Sequence, residues 1–167
     1  MHTVHRLLGL VIAVVLLGTT GARAQLPANE LEGTWRMKSQ KLIYPDSVVN
    51  RSGNWSANFK ILNSTHFAWG RETKDGQTVI AGGGRYEYYP ERNLYIEHIQ
   101  YHSEPDLSGT TLRFTARVEG DTWYHIGKVG NYKLREVWKR VDPKKVRAKM
   151  RDDTLSAERT EAESSGQ

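Results

Sequence analysis

The segment TLRFTARV, residues 111–118, limits the fold more than any other part of the chain. Leu112, Phe114, Ala116 and Val118 fall on one side of an extended backbone; Thr111, Arg113, Thr115 and Arg117 fall on the other. Side chains alternate with a period of two in a strand, so the pattern describes a strand with one dry face and one wet face. The same period runs from Gly33 to Val141. It predicts strands near 33–40, 57–62, 65–72, 78–89, 93–102, 109–118, 121–129 and 131–141. Turn signals separate most of them, at Asn63-Ser64, Asp75-Gly76, Pro90 to Asn93, Glu119-Gly120-Asp121 and Gly130-Asn131. Eight strands with mostly short turns predict an all-β fold: an eight-stranded antiparallel up-and-down barrel, closed to remove its edges. A two-sheet sandwich is the structural alternative. The stretch LIYPDSVVNRSGN, 42–54, reads as one long connection after the first strand.

The ends differ from the middle. Arg6 precedes an apolar run of 11 residues, Leu7 to Leu17, and small residues follow as far as Ala22-Arg23-Ala24. That layout predicts a signal peptide over 1–24, and the run is too short for a stable membrane anchor. The expected location is periplasmic or secreted. Cleavage leaves 143 residues and lowers the formal charge from +5 to +3, because Arg6 and Arg23 are lost. With so little excess charge, a nucleic-acid partner is not expected. No cysteine is present, which excludes disulfides and thiolate chemistry. A barrel domain over 25–141 is expected. Residues 142–167 read as a charged tail, disordered apart from a short helix near 143–151.

LEGTWRM, residues 31–37, holds Gly33-x-Trp35 at the start of the first strand. A long first connection and short hairpins follow, and the last strand is rich in Arg and Trp. This layout resembles the lipocalin and fatty-acid-binding (calycin) superfamily, in particular small bacterial secreted lipocalin-like proteins, over about residues 31–141. The resemblance implies that the Trp packs across a closed barrel end beneath an Arg from the last strand. Trp35 matches the first role, and Arg135 or Arg140 matches the second. The disulfide cysteines and the clear helix of the classical branch are missing. The resemblance further implies an interior cavity for a small hydrophobic or amphipathic molecule, without cofactor or catalytic mechanism.

Turn geometry sorts the interior. If Pro90 to Asn93 joins Tyr89 to Leu94, then Tyr88 faces Tyr95, Tyr86 faces Glu97, Gly84 faces Ile99 and Gly82 faces Tyr101. The Gly130-Asn131 turn sets His125 opposite Glu136 and Trp123 opposite Trp138, and Ala116 then faces His125. The predicted cavity wall is therefore Tyr86, Tyr88, Tyr95, Glu97, Tyr101, Phe114, Trp123, His125 and Glu136, with Gly33, Trp35 and Trp138 structural. Apolar cavities fix orientation with a few polar groups, and Glu97 is the expected anchor, bonded by Tyr86. The same residues also fit a self-filled core of satisfied pairs.

Two other functions stay open. Glu97 or Glu136 could serve with His125 as acid and base in a small barrel enzyme. An envelope protein-interaction module, with a self-filled core and Tyr89 and Tyr124 outside, is the other. No metal site is expected: His98 and His102 are about 13 Å apart on one strand, and His125 with Glu136 supplies two ligands. The expected state is a monomer or weak dimer.

Overall fold

The computed structural model describes residues 29–52, 58–73 and 79–165. The expected signal peptide and the Asp75-Gly76 turn lie outside these residues. Among them the strands run β1 (Gly33–Ile43), β2 (Val48–Ser52), β3 (Asn58–Leu62), β4 (His66–Glu72), β5 (Val79–Tyr89), β6 (Leu94–His102), β7 (Thr111–Glu119), β8 (Thr122–Val129) and β9 (Tyr132–Arg140), followed by the helix α1 (Pro143–Ser165). From β3 onward each strand pairs antiparallel with the next, and β1 pairs with both β3 and β9. Eight strands thus close into an up-and-down barrel, and no two-sheet sandwich forms.

The ninth strand is β2. It lies in the segment read as a connection and pairs with the second half of β1, Ser39 to Ile43, where β3 does not reach. Pro45 and Asp46 form the tip of a tight turn closed by the Tyr44 N–H on the Ser47 carbonyl (2.9 Å). Proline pre-sets the backbone for such a turn, and Val48 and Val49 favour the returning strand.

The β5–β6 hairpin keeps the expected register at Tyr88↔Tyr95, Tyr86↔Glu97 and Gly84↔Ile99, then slips by one residue. Gly83 faces Tyr101, and Gly82 faces His102. The cause is close backbone approach. A Cβ on Gly84 would sit 2.1 Å from the His98 carbonyl oxygen and 2.8 Å from the Gln100 nitrogen, so the β6 backbone occupies the space of a side chain. A one-residue bulge exchanges the faces of everything beyond it. Tyr101 therefore points outward, 52% exposed, and His102 turns inward against Trp69, with ring centroids 5.4 Å apart.

A second slip in β1, between Met37 and Ser39, lets Trp35 and Met37 and then Gln40 and Leu42 all face the interior. The C-terminal segment also departs from expectation: one helix continues past 151 to Ser165. Its only proline is the first residue, where a helix tolerates it, and it contains no glycine. Thr154, Ser156 and Thr160 bond back to carbonyls four residues earlier.

Candidate functional site

The barrel is solid at one end and hollow at the other. At the solid end residues 29–32 fold beneath β1 and β9. Leu31 is fully buried, and its carbonyl accepts the Trp35 Nε1–H (2.8 Å). Arg140 sets its guanidinium 4.1 Å from the Trp35 ring centroid and donates to the carbonyls of Glu30 and Glu32. Of the two candidate arginines, Arg140 therefore caps Trp35, while Arg135 is exposed on the outer face. Trp35 meets Trp123 edge-on at 5.5 Å, and Trp123 stacks on Trp138 at 6.1 Å. Tyr95 contacts Trp123 edge-on at 5.5 Å. The Tyr86 hydroxyl donates to the Asn63 carbonyl (2.6 Å) and accepts from Asn29 Nδ2 (2.8 Å). Tyr88 donates to the Glu30 carboxylate; burial and then that bond push its hydroxyl pKa well up. Aromatic area plugs this end; the Trp35, Tyr86 and Tyr88 polar atoms are bonded, while the Tyr95 hydroxyl and the Trp123 Nε1–H have no hydrogen-bond partner among the described residues.

Two buried polar clusters lie above the plug. Lys60 Nζ sits 2.7 Å from Glu97 Oε1, both side chains being about 5% exposed or less. The ammonium also lies 5.3 Å from the Trp123 centroid and 5.5 Å from that of Phe67, with Tyr95 and Trp138 at similar range. This is cation–π geometry. Glu97 thus has a cation as its partner, in place of the expected Tyr86. In the second cluster Glu136 Oε2 accepts from His125 Nδ1 (2.9 Å) and Trp138 Nε1 (3.0 Å). Its Oε1 accepts from Gln40 Nε2 (2.7 Å), and Gln40 Oε1 accepts from Arg51 (3.1 Å). Burial alone would raise the Glu136 pKa, but the His125 hydrogen bond, the Lys60 charge and the Gln40 hydrogen bond outweigh it and hold the carboxyl below its ordinary value. Burial and then the Lys60 charge lower the His125 pKa. The pair is an ionised carboxylate and a neutral imidazole whose Nδ1–H donates. His125 Nε2 then carries a lone pair and has no hydrogen-bond partner among the described residues.

Above these clusters a cavity of about 330 Å³ runs to the open end. Leu42, Ile99, Leu112, Phe114 and Leu134 form its apolar wall, and Lys60, Glu97, His125 and Glu136 line it as polar groups. Arg51, Arg71 and Glu104 stand with Tyr44 and Tyr132 among its lining residues. Arg71 is half-buried, and burial and then the charge of Arg51 lower its pKa. Its guanidinium makes no hydrogen bond or ion pair among the described residues. Nor, among them, do three His, Asp or Glu side chains gather as a metal would require.

The eight-stranded ring with Trp35 beneath Arg140 is a lipocalin-like barrel. Residues 30–152 match a family described as "Domain of unknown function (DUF4488)". The chain belongs to that family. No curated protein matches it. Among solved structures, a lipocalin-like protein from Bacteroides uniformis is similar at 12% identity and a TM-score of 0.45, over 68% of this chain and 100% of that one. An uncharacterized protein from Bacteroides eggerthii is similar at 11% identity and a TM-score of 0.42, over 66% and 98%.

In this DUF4488 chain the nine residues expected to line the cavity divide three ways. Glu97, Phe114, His125 and Glu136 line it, as does Trp138, which was expected to be structural only. Tyr86, Tyr88, Tyr95 and Trp123 pack the solid end instead, because strand tilt carries them past the cavity floor. Tyr101 leaves the interior through the bulge. Lys60 was missed because Asn-Phe-Lys-Ile-Leu reads with Phe59 and Ile61 inside. The barrel turns Asn58, Lys60 and Leu62 inward and leaves Ile61 55% exposed. The signal that could have found Lys60 was Glu97, a buried carboxylate that calls for a cation. Arg71, followed by Glu72 and a turn, carried no comparable signal.

Proposed function

We propose that the barrel binds one small amphipathic molecule in its open half, as an exported binding protein of the periplasm or exterior, monomeric or weakly dimeric. The cavity carries this reading. Its volume of about 330 Å³ lies at the lower end of the range for small-molecule sites. Its apolar wall suits a short chain or fused ring. Its polar groups are placed to orient the guest: the His125 Nε2 lone pair accepts a hydrogen bond at depth, and the unpaired Arg71 guanidinium suits an anionic or strongly polar end. Both a purely apolar guest and an empty self-filled core fit these groups less well.

The test is a fluorescence titration with two dyes of matched shape. Anilinonaphthalene sulfonate carries an anion, and N-phenylnaphthylamine lacks it. Both should bind one-to-one and compete with each other. Arg71→Met should weaken the sulfonate by about tenfold, the value of one charge-assisted contact, and leave the neutral dye unchanged. Uptake of neither dye by the cooperatively folded protein would overturn the reading.

A further inference from the structure

The outer surface of β8, β9 and β1 carries cations and no anions. Arg36, Lys38 and Lys41 on β1 are exposed, as are Lys128 on β8 and Lys133, Arg135 and Lys139 on β9. The three strands contain one carboxylate, Glu136, which points into the barrel. The register sets cation against cation: Arg36 faces Lys139, Lys41 faces Arg135, and Lys128 faces Lys133. Like charges directly opposite destabilise a sheet. None of these side chains forms an ion pair among the described residues. A merely solvated face mixes both signs, and a formal charge of +5 on the whole chain does not require this segregation.

Two neighbouring features extend the face. Lys145 and Lys149 of α1 line a shallow groove with Arg36, Lys38 and Lys139, and the half-exposed Val146 and exposed Met150 line it too, with Asp142 and Asp153 as its acids. Farther along the barrel a second groove, about 680 Å³, is lined by Ile43, Leu94 and Ile126. Arg92, Arg113, Lys128 and Lys133 also line it, and no carboxylate does.

We propose that this face docks reversibly on a bilayer surface of anionic lipid, with the second groove receiving an acidic headgroup. Charge complementarity carries the assignment. Lysine predominates among the seven strand cations, and its compact, mobile charge suits a fluid array of headgroups rather than one fixed forked acceptor. Apolar side chains beside the cations, Ile126 in one groove and Met150 in the other, match the boundary between headgroup and acyl chain. A single-stranded nucleic acid would be met by stacking aromatics. Tyr124 is covered by Arg117, whose guanidinium lies 5.1 Å from its ring centroid, and Tyr44 and Tyr132, which line the second groove, lean on each other at 5.1 Å.

The experiment is co-sedimentation of the full chain with phosphatidylcholine vesicles, with and without phosphatidylglycerol, for the protein and for Lys41→Glu/Lys128→Glu. Each substitution turns a like-charged pair into an opposite pair, so the melting temperature should hold or rise. Binding should require phosphatidylglycerol, vanish at high salt, and fall at least tenfold in the double variant, at about one charge-interaction per residue near the surface. Equal binding to neutral vesicles, through the apolar run 7–17, would overturn the proposal. So would anionic binding indifferent to the double substitution, or retention by duplex DNA with none by vesicles.

Discussion

The two ends of the barrel are built from the same alternating strands and reach opposite results. At the closed end Trp35, Tyr86, Tyr95, Trp123 and Trp138 pack ring against ring, and the three tryptophans are at most 1% exposed. At the open end leucines, an isoleucine and unpaired charge surround a space of about 330 Å³. The difference lies in what β1, β8 and β9 place on their inner faces. Met37, Trp123 and Trp138 fill one level, and Leu42, Gly127 and Leu134 thin the wall four residues farther along β8 and β9. A chain of this size can close one end with aromatic area and still leave room for a guest.

The largest expected effect belongs to the closed end. Trp35→Ala removes a fully buried indole, its bond to the Leu31 carbonyl and the platform for Arg140. It should cost about 3–5 kcal/mol in urea unfolding. A loss below 1 kcal/mol would erase the contrast between the ends. Next comes the boundary between them. Lys60→Met leaves Glu97 buried and unpaired and should cost about 3 kcal/mol, whereas Lys60→Met/Glu97→Gln should restore most of that loss. A double variant as unstable as the single one would show that Lys60 acts through aromatic packing rather than charge.

Acid provides a smaller probe of the same boundary. Burial holds the His125 pKa below its ordinary 6.5, so the unfolded chain binds a proton there that the folded chain refuses. Stability should begin to fall as pH drops below 6.5 and continue down to the folded pKa. Glu136, also held below its ordinary value of 4.5, adds a loss at lower pH, because protonating it breaks the cluster. Melting curves between neutral and mildly acidic buffer should show the decline, and His125→Gln should reduce its upper part. A melting temperature flat through that interval would contradict the neutral imidazole.

These contrasts explain what the sequence could express. Alternation and turn residues place eight strands and most of their registers, since a one-residue slip would expose a dry face. They place the His125–Glu136 and Trp123–Trp138 pairs because the Gly130-Asn131 turn is tight. They miss Tyr101 because a bulge at Gly84 depends on how closely two backbones pack, which hairpin counting ignores. They miss Lys60 because alternation assigns a charged residue to water, and its partner lies 37 positions away in the chain. Which end is hollow was also illegible. Strand tilt decides which inward residues share a level, and tilt is a property of the closed ring.

The central claim is that the open half holds a guest while the tyrosine that alternation placed inside takes no part. The most direct measurement is N-phenylnaphthylamine titration of Leu112→Trp and Tyr101→Ala beside the unaltered protein. Leu112 lines the cavity, and an indole there intrudes on the space of the guest; Tyr101 lies on the outer face. The account predicts that Leu112→Trp abolishes uptake with the fold intact and that Tyr101→Ala leaves the affinity within about twofold, the scatter expected of an exposed site. Undiminished uptake by Leu112→Trp, or its loss in Tyr101→Ala, would contradict the account.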